Sequence, residues 1–419
     1  MAKIYIDPTF NGTSDGSINN PFKSWSEVSI QSNNEYFQKC GTEITVEQVF
    51  MDNKDNITIG AYGEGERPII IGNSDSHAPV SIARSRDIIV KDLNLKGVDK
   101  KPVGGVYFRG HWNTGGANGE RLLVENCEIS HCYNGVRCLE FSTAIDTVTI
   151  RNCHIYDISE DGVFIKMCDN VTVEGCDIHD VNTDFWTQGP TQQQAPGDCV
   201  QLSGDCDNFK IYNNIMDRRS SGLKFCFIHN SSDAGPQPRP FGQSGEIIGN
   251  TFYPPYDQEG IESAGGAIYL RQGENVLIRD NYFSGEGYTE GTTPGAVGQM
   301  GFQNMTWENN LVEDVPNAVF TYNANTGYYV TLNMKDNTFV LKDNSRCVRL
   351  NGVNEVTMEN TEFYVDNLDE IISNNNSDLT EINTEIYSYD EYENVSELPT
   401  CTTPIYPENG AIDVDLIEM

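Results

Sequence analysis

The sequence predicts an all-β chain wound as a right-handed parallel β-helix. Three observations predict it. A short unit recurs along the 419 residues. Each unit holds two short alternating stretches rich in Val, Ile, Thr and Phe, and no long helical pattern separates them. One such unit alone cannot bury its apolar face, but a stack of them can.

The repeat is plainest between Thr147 and Asp180. Thr149-Ile-Arg-Asn-Cys-His-Ile155 returns as Thr172-Val-Glu-Gly-Cys-Asp-Ile178, with Cys153 falling on Cys176. The same slot can be followed through Leu93, Cys127, Cys153, Cys176, Asn214, Thr251, Asn281, Asn310, Asn337 and Thr361, at gaps of 23 to 38 residues. A large apolar residue usually follows two places later, and Asn, Asp or Gly usually precedes the slot. Connections this short return each strand to the same place one layer up. Ten rungs at about 4.8 Å make roughly 48 Å of solenoid, and the whole chain is expected to hold about ten to twelve. Identical slots then stack as inward Cys and Asn ladders, the amides hydrogen-bonding from rung to rung.

The chain divides accordingly. Residues 1–56 read as an N-terminal cap, turn-rich, with a short helix expected after Ser24. Residues 57–382 read as the β-helix. Four insertions rich in Gly, Pro, Gln and Thr interrupt it at 110–118, 182–197, 231–245 and 285–295, two of them carrying Trp112 and Trp186. Residues 383–419 read as an acidic, aromatic tail that either caps the last rung or docks on a partner.

Composition sets limits. The formal net charge is −35, from 62 acidic against 27 basic residues. Such a field repels phosphate, which excludes nucleic acid as the expected partner. Hydrophobic content is only 38 %, with 38 Gly, as a thin core with many turns requires. The 12 cysteines include no Cys-x-x-Cys pair, so they read as stacked buried thiols rather than a zinc motif, and they suit assembly in a reducing compartment. No apolar run of membrane-spanning length appears, so membrane insertion is not expected. Met1-Ala-Lys-Ile-Tyr-Ile6 enters a strand-like segment at once, with no signal peptide ahead of it, which reads either as a leader already removed or as release by another route such as lysis.

The opening Asp7-Pro-Thr-Phe-Asn-Gly12 with Pro21-Phe22 and Trp25, and the segment Ile57-Thr-Ile-Gly-Ala-Tyr-Gly-Glu-Gly-Glu-Arg-Pro-Ile-Ile-Ile-Gly72, resemble the N-terminal portion of the pectate-lyase-like superfamily of parallel β-helix proteins. The resemblance extends over roughly residues 4–365. It implies the fold, and a place among polysaccharide lyases, glycoside hydrolases and phage tailspikes, the last commonly homotrimers. It transfers no catalytic motif, because the superfamily hosts many reactions.

A second strand in each unit opens with a small residue and then an aliphatic one: Gly105-Val106-Tyr107, Gly135-Val136-Arg137, Gly162-Val163-Phe164, Cys199-Val200-Gln201, Gly222-Leu223-Lys224, Ala267-Ile268-Tyr269, Ala318-Val319-Phe320 and Cys347-Val348-Arg349. Alternation points the aliphatic residue inward and the next one outward. The expected outward stripe is Tyr107 and Arg109, Arg137, Phe164 and Lys166, Gln201, Lys224, Tyr269 and Arg271, Phe320 and Tyr322, and Arg349. Six of the 27 basic residues thus fall on one face, interleaved with aromatics, and all four insertions border it. Cations pair with glycan carboxylates or sulfates and rings stack on sugar faces, so Tyr107, Arg109, Arg137, Phe164, Gln201, Tyr269 and Trp186 are the candidate binding residues. The plainer alternative is that these side chains only counter an acidic surface, although exposed ion pairs stabilise little.

Asp161 and Asp198 hold the same place on successive rungs, just before the stripe. They read as an acid and nucleophile pair for glycoside hydrolysis, as oxygen ligands for Ca2+, or as caps on their turns. For β-elimination, Lys224 or Lys166 is the candidate base, and Arg271, Arg137 or Arg219 would hold a uronate carboxylate, with His229 a further proton carrier. The function expected is an extracellular, glycan-binding or glycan-cleaving protein, foremost a phage tailspike-like virion protein acting on host surface polysaccharide. A secreted bacterial lyase on an acidic polysaccharide of the alginate or pectin type is the second reading. A non-catalytic virion or surface protein, its stripe an interface with neighbours or within a homotrimer, is the third.

Overall fold

The structure, a computed structural model, describes residues 1–99, 102–110, 119–139, 145–181, 197–204, 206–217, 224–229, 244–253, 267–284, 297–315, 318–322, 329–341, 347–366 and 371–392. The described residues form an all-β parallel solenoid with almost no helix among them. Each turn contributes three strands. In one turn these are Val163–Lys166, Cys168–Glu174 and Asp177–His179, after which Asp198–Ser203 begins the next layer. We call the three faces the stripe face, the linking face and the far face. The far face is a 13-stranded sheet. The stripe and linking faces together form a 24-stranded sheet, fused where Ile268–Arg279 and Val297–Glu308 run through the bend as single strands.

The corner between the linking and far faces fixes the register. From Lys91 onward, eleven successive turns join these faces through two residues only. The first of the pair is always left-handed: Asp92, Asn126, Asn152, Gly175, Asn213, Gly249, Asp280, Asn309, Asp336, Asn360 and Asn383 all have φ between 47° and 68°. Asn, Asp and Gly tolerate that conformation where other residues lose about 1–2 kcal/mol, which is why these types precede the slot. The second residue points inward and stacks. Asn214, Asn250, Asn281, Asn310 and Asn337 form an amide ladder: each Oδ1 from Asn250 to Asn337 accepts both the backbone N–H and the Nδ2 of the Asn before it, at 2.9–3.1 Å. Their Nδ2 groups also donate to main-chain carbonyls. Cys127, Cys153 and Cys176 continue the column, each thiol donating to a carbonyl two residues back.

One expected member of the ladder is displaced. Thr251 does not occupy the slot; Asn250 does, and Phe252 rather than Tyr253 is the inward residue two places on. A threonine hydroxyl cannot serve both neighbours as a carboxamide does, with an acceptor toward one rung and donors toward the next.

Inward side chains from all three faces merge into one core running from Ile6 to Ile371. Aromatic rings stack along it, Phe252 on Phe283 at 4.7 Å and Phe339 on Phe363 at 5.0 Å. The small residue opening each stripe strand has a packing cause. A Cβ on Gly135 would lie 2.5 Å from Ile155 Cγ2, and one on Gly162 would lie 2.6 Å from Ile178 Cγ2. The stripe face there comes too close to the far face to admit a side chain.

The two ends join the stack more fully than the sequence pattern suggests. Ala2–Ile6 pairs in parallel with Asn34–Lys39, and that strand with Asp55–Tyr62. The helix expected after Ser24 is a 3-10 turn, Trp25–Glu27, pinned by Trp25 Nε1 donating to buried Gln38 Oε1 at 2.8 Å. At the other end the repeat continues through Glu385–Ser388, and a short helix Tyr389–Tyr392 folds back on the far face, with Tyr392 Oη donating to Glu313 Oε1 at 2.5 Å. The rest of the expected tail, 393–419, lies outside the described residues. Among those described, no helix is long and apolar enough to cross a membrane.

The ladder carries a stability prediction. Asn281→Ala orphans the Asn250 N–H inside the core and should cost about 2–4 kcal/mol in equilibrium urea unfolding. Asn152→Gly, at a corner, should lie within about 0.5 kcal/mol of the parent, whereas Asn152→Val should cost about 1–2 kcal/mol.

Candidate functional site: the outward column of the stripe face

The stripe strands pair in register, so their outward residues line up one per rung. Tyr107 stands beside Arg137, Arg137 beside Phe164, Phe164 beside Gln201, Gln201 beside Phe227, and Phe227 beside Tyr269. Gly298, Phe320 and Arg349 extend the column. A second column, two residues on, runs Arg109, Leu139, Lys166, Ser203, His229, Arg271 and Met300. Tyr107, Arg137, Phe164, Lys166, Gln201, Tyr269 and Arg349 are half-buried, and Arg109 is exposed.

The structure therefore brings most of the expected stripe together, with one correction. The sequence pattern sets Lys224 beside Gln201. The ladder pairs Lys224 with Asp198 instead, and Cys226 with Val200, so Phe227 takes the register position beside Gln201. Phe225-Cys226-Phe227 reverses the usual order of small and large residues, and Gly222-Leu223-Lys224 mimics it. Lys224 thus leaves the stripe, and His229 enters its second column. Lys224, Phe227, His229, Arg271, Gly298, Met300, Phe320 and Tyr322 are placed here by main-chain register alone. Trp112, Trp186 and Arg219 lie outside the described residues, as do 111–118, 182–196, 231–243 and 285–295 of the four insertions.

At the head of the column Arg137 sits between two rings, its guanidinium carbon 5.7 Å from the Tyr107 centroid and 5.9 Å from that of Phe164. Arg109 lies 5.9 Å from the same Tyr107 ring. Both faces of the Arg137 guanidinium are covered, so its remaining capacity lies in its edge, where planar N–H donors match a carboxylate. Its Nε is buried and has no hydrogen-bond partner among the described residues. Elsewhere arginines pair with carboxylates one rung away: Arg86 with Asp55 at 3.0 Å and Arg151 with Glu125 at 2.6 Å.

Behind the column lies a second polar stack. Asn134, Asp161 and Asp198 are all at most 2 % exposed. The Asp198 N–H donates to Asp161 Oδ1 at 2.8 Å, and Asn134 Nδ2 donates to Asp161 Oδ2 at 3.4 Å and to Glu160 Oε2 at 3.3 Å. Asp161 thus ties two rungs together as the Asn ladder does on the other side. Burial pushes its carboxyl well above the usual range, and the charges of Glu160 and Asp198 push the same way, against the Asp198 N–H and Arg137. Burial raises Glu160 as well, opposed by the Tyr133 hydroxyl, Arg137 and Asn134. The result is a buried carboxyl with a raised pKa, beside a cation and set back from the surface. Structurally it is a rung tie.

On the far face, a cluster that the sequence reading missed, His154, Asp177 and His179, gathers two imidazoles and a carboxylate. Its signal was present in the repeat, because His154 and Asp177 share one position on adjacent turns.

Known proteins agree with this geometry at the level of fold. A family model described as a right-handed β-helix region matches residues 78–235, which hold the stripe from Val80 through His229. Solved structures show the same architecture across most of the chain. The A-module of the mannuronan C-5 epimerase AlgE6 from Azotobacter vinelandii is 13 % identical, covers 84 % of this chain and 90 % of its own, and superposes with a TM-score of 0.62. The GH136 lacto-N-biosidase from Eubacterium ramulus is 12 % identical, covers 92 % of this chain and 68 % of its own, and gives 0.59. Among curated proteins none matches the chain. These likenesses show the fold, a right-handed parallel β-helix.

The buried acid gives a pH prediction. A carboxyl whose folded pKa exceeds its unfolded value binds a proton more tightly when folded, so stability falls as pH rises from the unfolded pKa through the folded one. Asp161→Asn removes that titration. The difference in stability between variant and parent should shift toward the variant from about pH 4 upward, levelling off above the folded pKa of Asp161. Urea midpoints across that range check it.

Proposed function

We propose that this protein engages an acidic polysaccharide laid across the rungs of its stripe face. The observation that carries the reading is the consecutive column Tyr107, Arg137, Phe164 and Gln201, with Arg137 between two rings on an otherwise strongly acidic chain. The column advances by one rung, about 4.8 Å, per side chain, which suits a chain-like ligand contacted repeatedly. Cations meet carboxylates and rings meet sugar faces along it. Two of the solved structures with this fold are named for enzymes of glycans, a mannuronan epimerase and a lacto-N-biosidase, which supports a glycan as the ligand class.

The setting we propose is outside the producing cell, on a phage virion as a tailspike-like protein. Support comes from the thiols. Eleven described cysteines are free and ten of them are buried, as in a chain that folds in a reducing interior before release. A secreted lyase acting on alginate- or pectin-type polymers is the second reading, favoured by the half-buried Lys166 next to the first column.

Titration calorimetry with alginate and pectate oligosaccharides tests the binding. Arg137→Ala should weaken it by about 1.5–3 kcal/mol, roughly 10- to 100-fold, and Tyr107→Ala by less. A panel of acidic glycans with no ligand, or an Arg137→Ala variant that binds as the parent does, ends the proposal. Release of unsaturated uronates, followed by ultraviolet absorbance, separates cleavage from binding. Lys166→Ala should abolish that signal if the lysine is the base, and Lys224→Ala, displaced from the stripe, should leave it.

A further inference from the structure

We propose that His154, His179 and Asp177 form a binding site for one divalent transition metal ion of the zinc class, on the far face and apart from the stripe. His154 and Asp177 are direct neighbours on adjacent rungs, and His179 lies two residues after Asp177, so alternation puts all three on one side of the sheet. Between them Ile155 and Ile178 point into the core and are fully buried, which fixes the strands and the direction of the three polar side chains.

The ligand atoms converge. His154 Nε2 and His179 Nε2 are 2.8 Å apart, and Asp177 Oδ2 is 3.9 Å from His154 Nε2. All three lie within 4.8 Å of one another. With metal–nitrogen bonds of about 2.0–2.1 Å at a tetrahedral angle, two nitrogens stand about 3.4 Å apart, so the rings need separate by only about 0.6 Å.

The tautomer of His179 is set for ligation. His179 Nδ1 lies 2.9 Å from Asp180 Oδ2. A carboxylate there only accepts, so the proton is on Nδ1 and the neutral ring presents a bare Nε2 lone pair to the cluster. A carboxylate oriented behind a metal-binding imidazole is the usual supporting arrangement. Tyr156 stacks on His154 at 4.5 Å and on His179 at 5.6 Å, which holds both ring planes. Its hydroxyl is anchored by Glu128 Oε1 at 2.7 Å.

Two features favour a cation over a simple imidazole pair. A hydrogen bond between the two Nε2 atoms needs one proton and no carboxylate, yet Asp177 stands beside them. Glu128 and Asp217 continue the outward columns on either side, so the local field attracts positive charge. Two imidazoles with one carboxylate select zinc, cobalt, nickel or copper over calcium or magnesium, which take oxygen donors. Bound ion would clip two rungs together at the root of the segment that follows Val181.

The test uses the untagged full-length chain, stripped with chelator and titrated with zinc or cobalt chloride under equilibrium dialysis. One equivalent should bind, cobalt should give a visible ligand-field band, and excess calcium should not displace it. The His154→Ala/His179→Ala double variant should lose the band. Asp180→Asn, a milder change outside the three ligands, should weaken zinc by about 10- to 100-fold. Zinc should raise the thermal midpoint of the parent and not that of the double variant. A parent chain that binds no stoichiometric zinc or cobalt overturns the proposal, as does a double variant with parental affinity.

Discussion

The fold depends on a corner two residues long. Its first residue must enter left-handed backbone, and its second must turn inward and stack, hydrogen-bonding to its counterparts above and below along the Asn ladder. Neither requirement can be met if a turn slips by one place, because a slip would carry every side chain to the opposite face. The corner therefore does for the solenoid what a designed register pin does for a sheet. It allows residues dozens of positions apart in sequence, such as Tyr107, Arg137 and Phe164, to stand side by side.

The same stacking governs the chemistry. Like residues on successive rungs lie about 4.8 Å apart, so charge cannot repeat freely along a column. The chain answers in three ways. Outside, aspartates and arginines alternate between rungs, as with Asp55 and Arg86. On the stripe, rings separate the cations, as around Arg137. Behind the stripe, where Asp161 and Asp198 do repeat, burial and the neighbouring carboxylates raise the pKa of Asp161. On the far face the stacking of two imidazoles on a carboxylate calls for a shared positive partner.

Much of this was legible in the sequence because the corner imposes residue types. Asn, Asp or Gly before an inward Cys or Asn is a local rule, and it marked the turns from Leu93 to Thr361. Reading failed where two neighbours could each satisfy the rule. Gly249-Asn250-Thr251 offered two polar residues, and only the capacity of an amide to donate and accept together chose Asn250. Lys224 was misplaced because a small and aliphatic pair preceded it, while the true rung used Cys226 as its inward residue. The histidine cluster escaped because each member alone looks like an ordinary polar position on a strand. Only register shows that His154 and Asp177 are neighbours.

The invariant corner also decides where this architecture can vary. Every change in turn length must be absorbed at the other two bends, and both of those border the stripe face. Ligand preference can therefore drift through loop exchange while the backbone of the spindle stays untouched. A whole coil, cut from one left-handed residue to the next, is the natural cassette for lengthening or shortening the molecule. Such a splice would extend the groove by a single layer without disturbing the layers on either side.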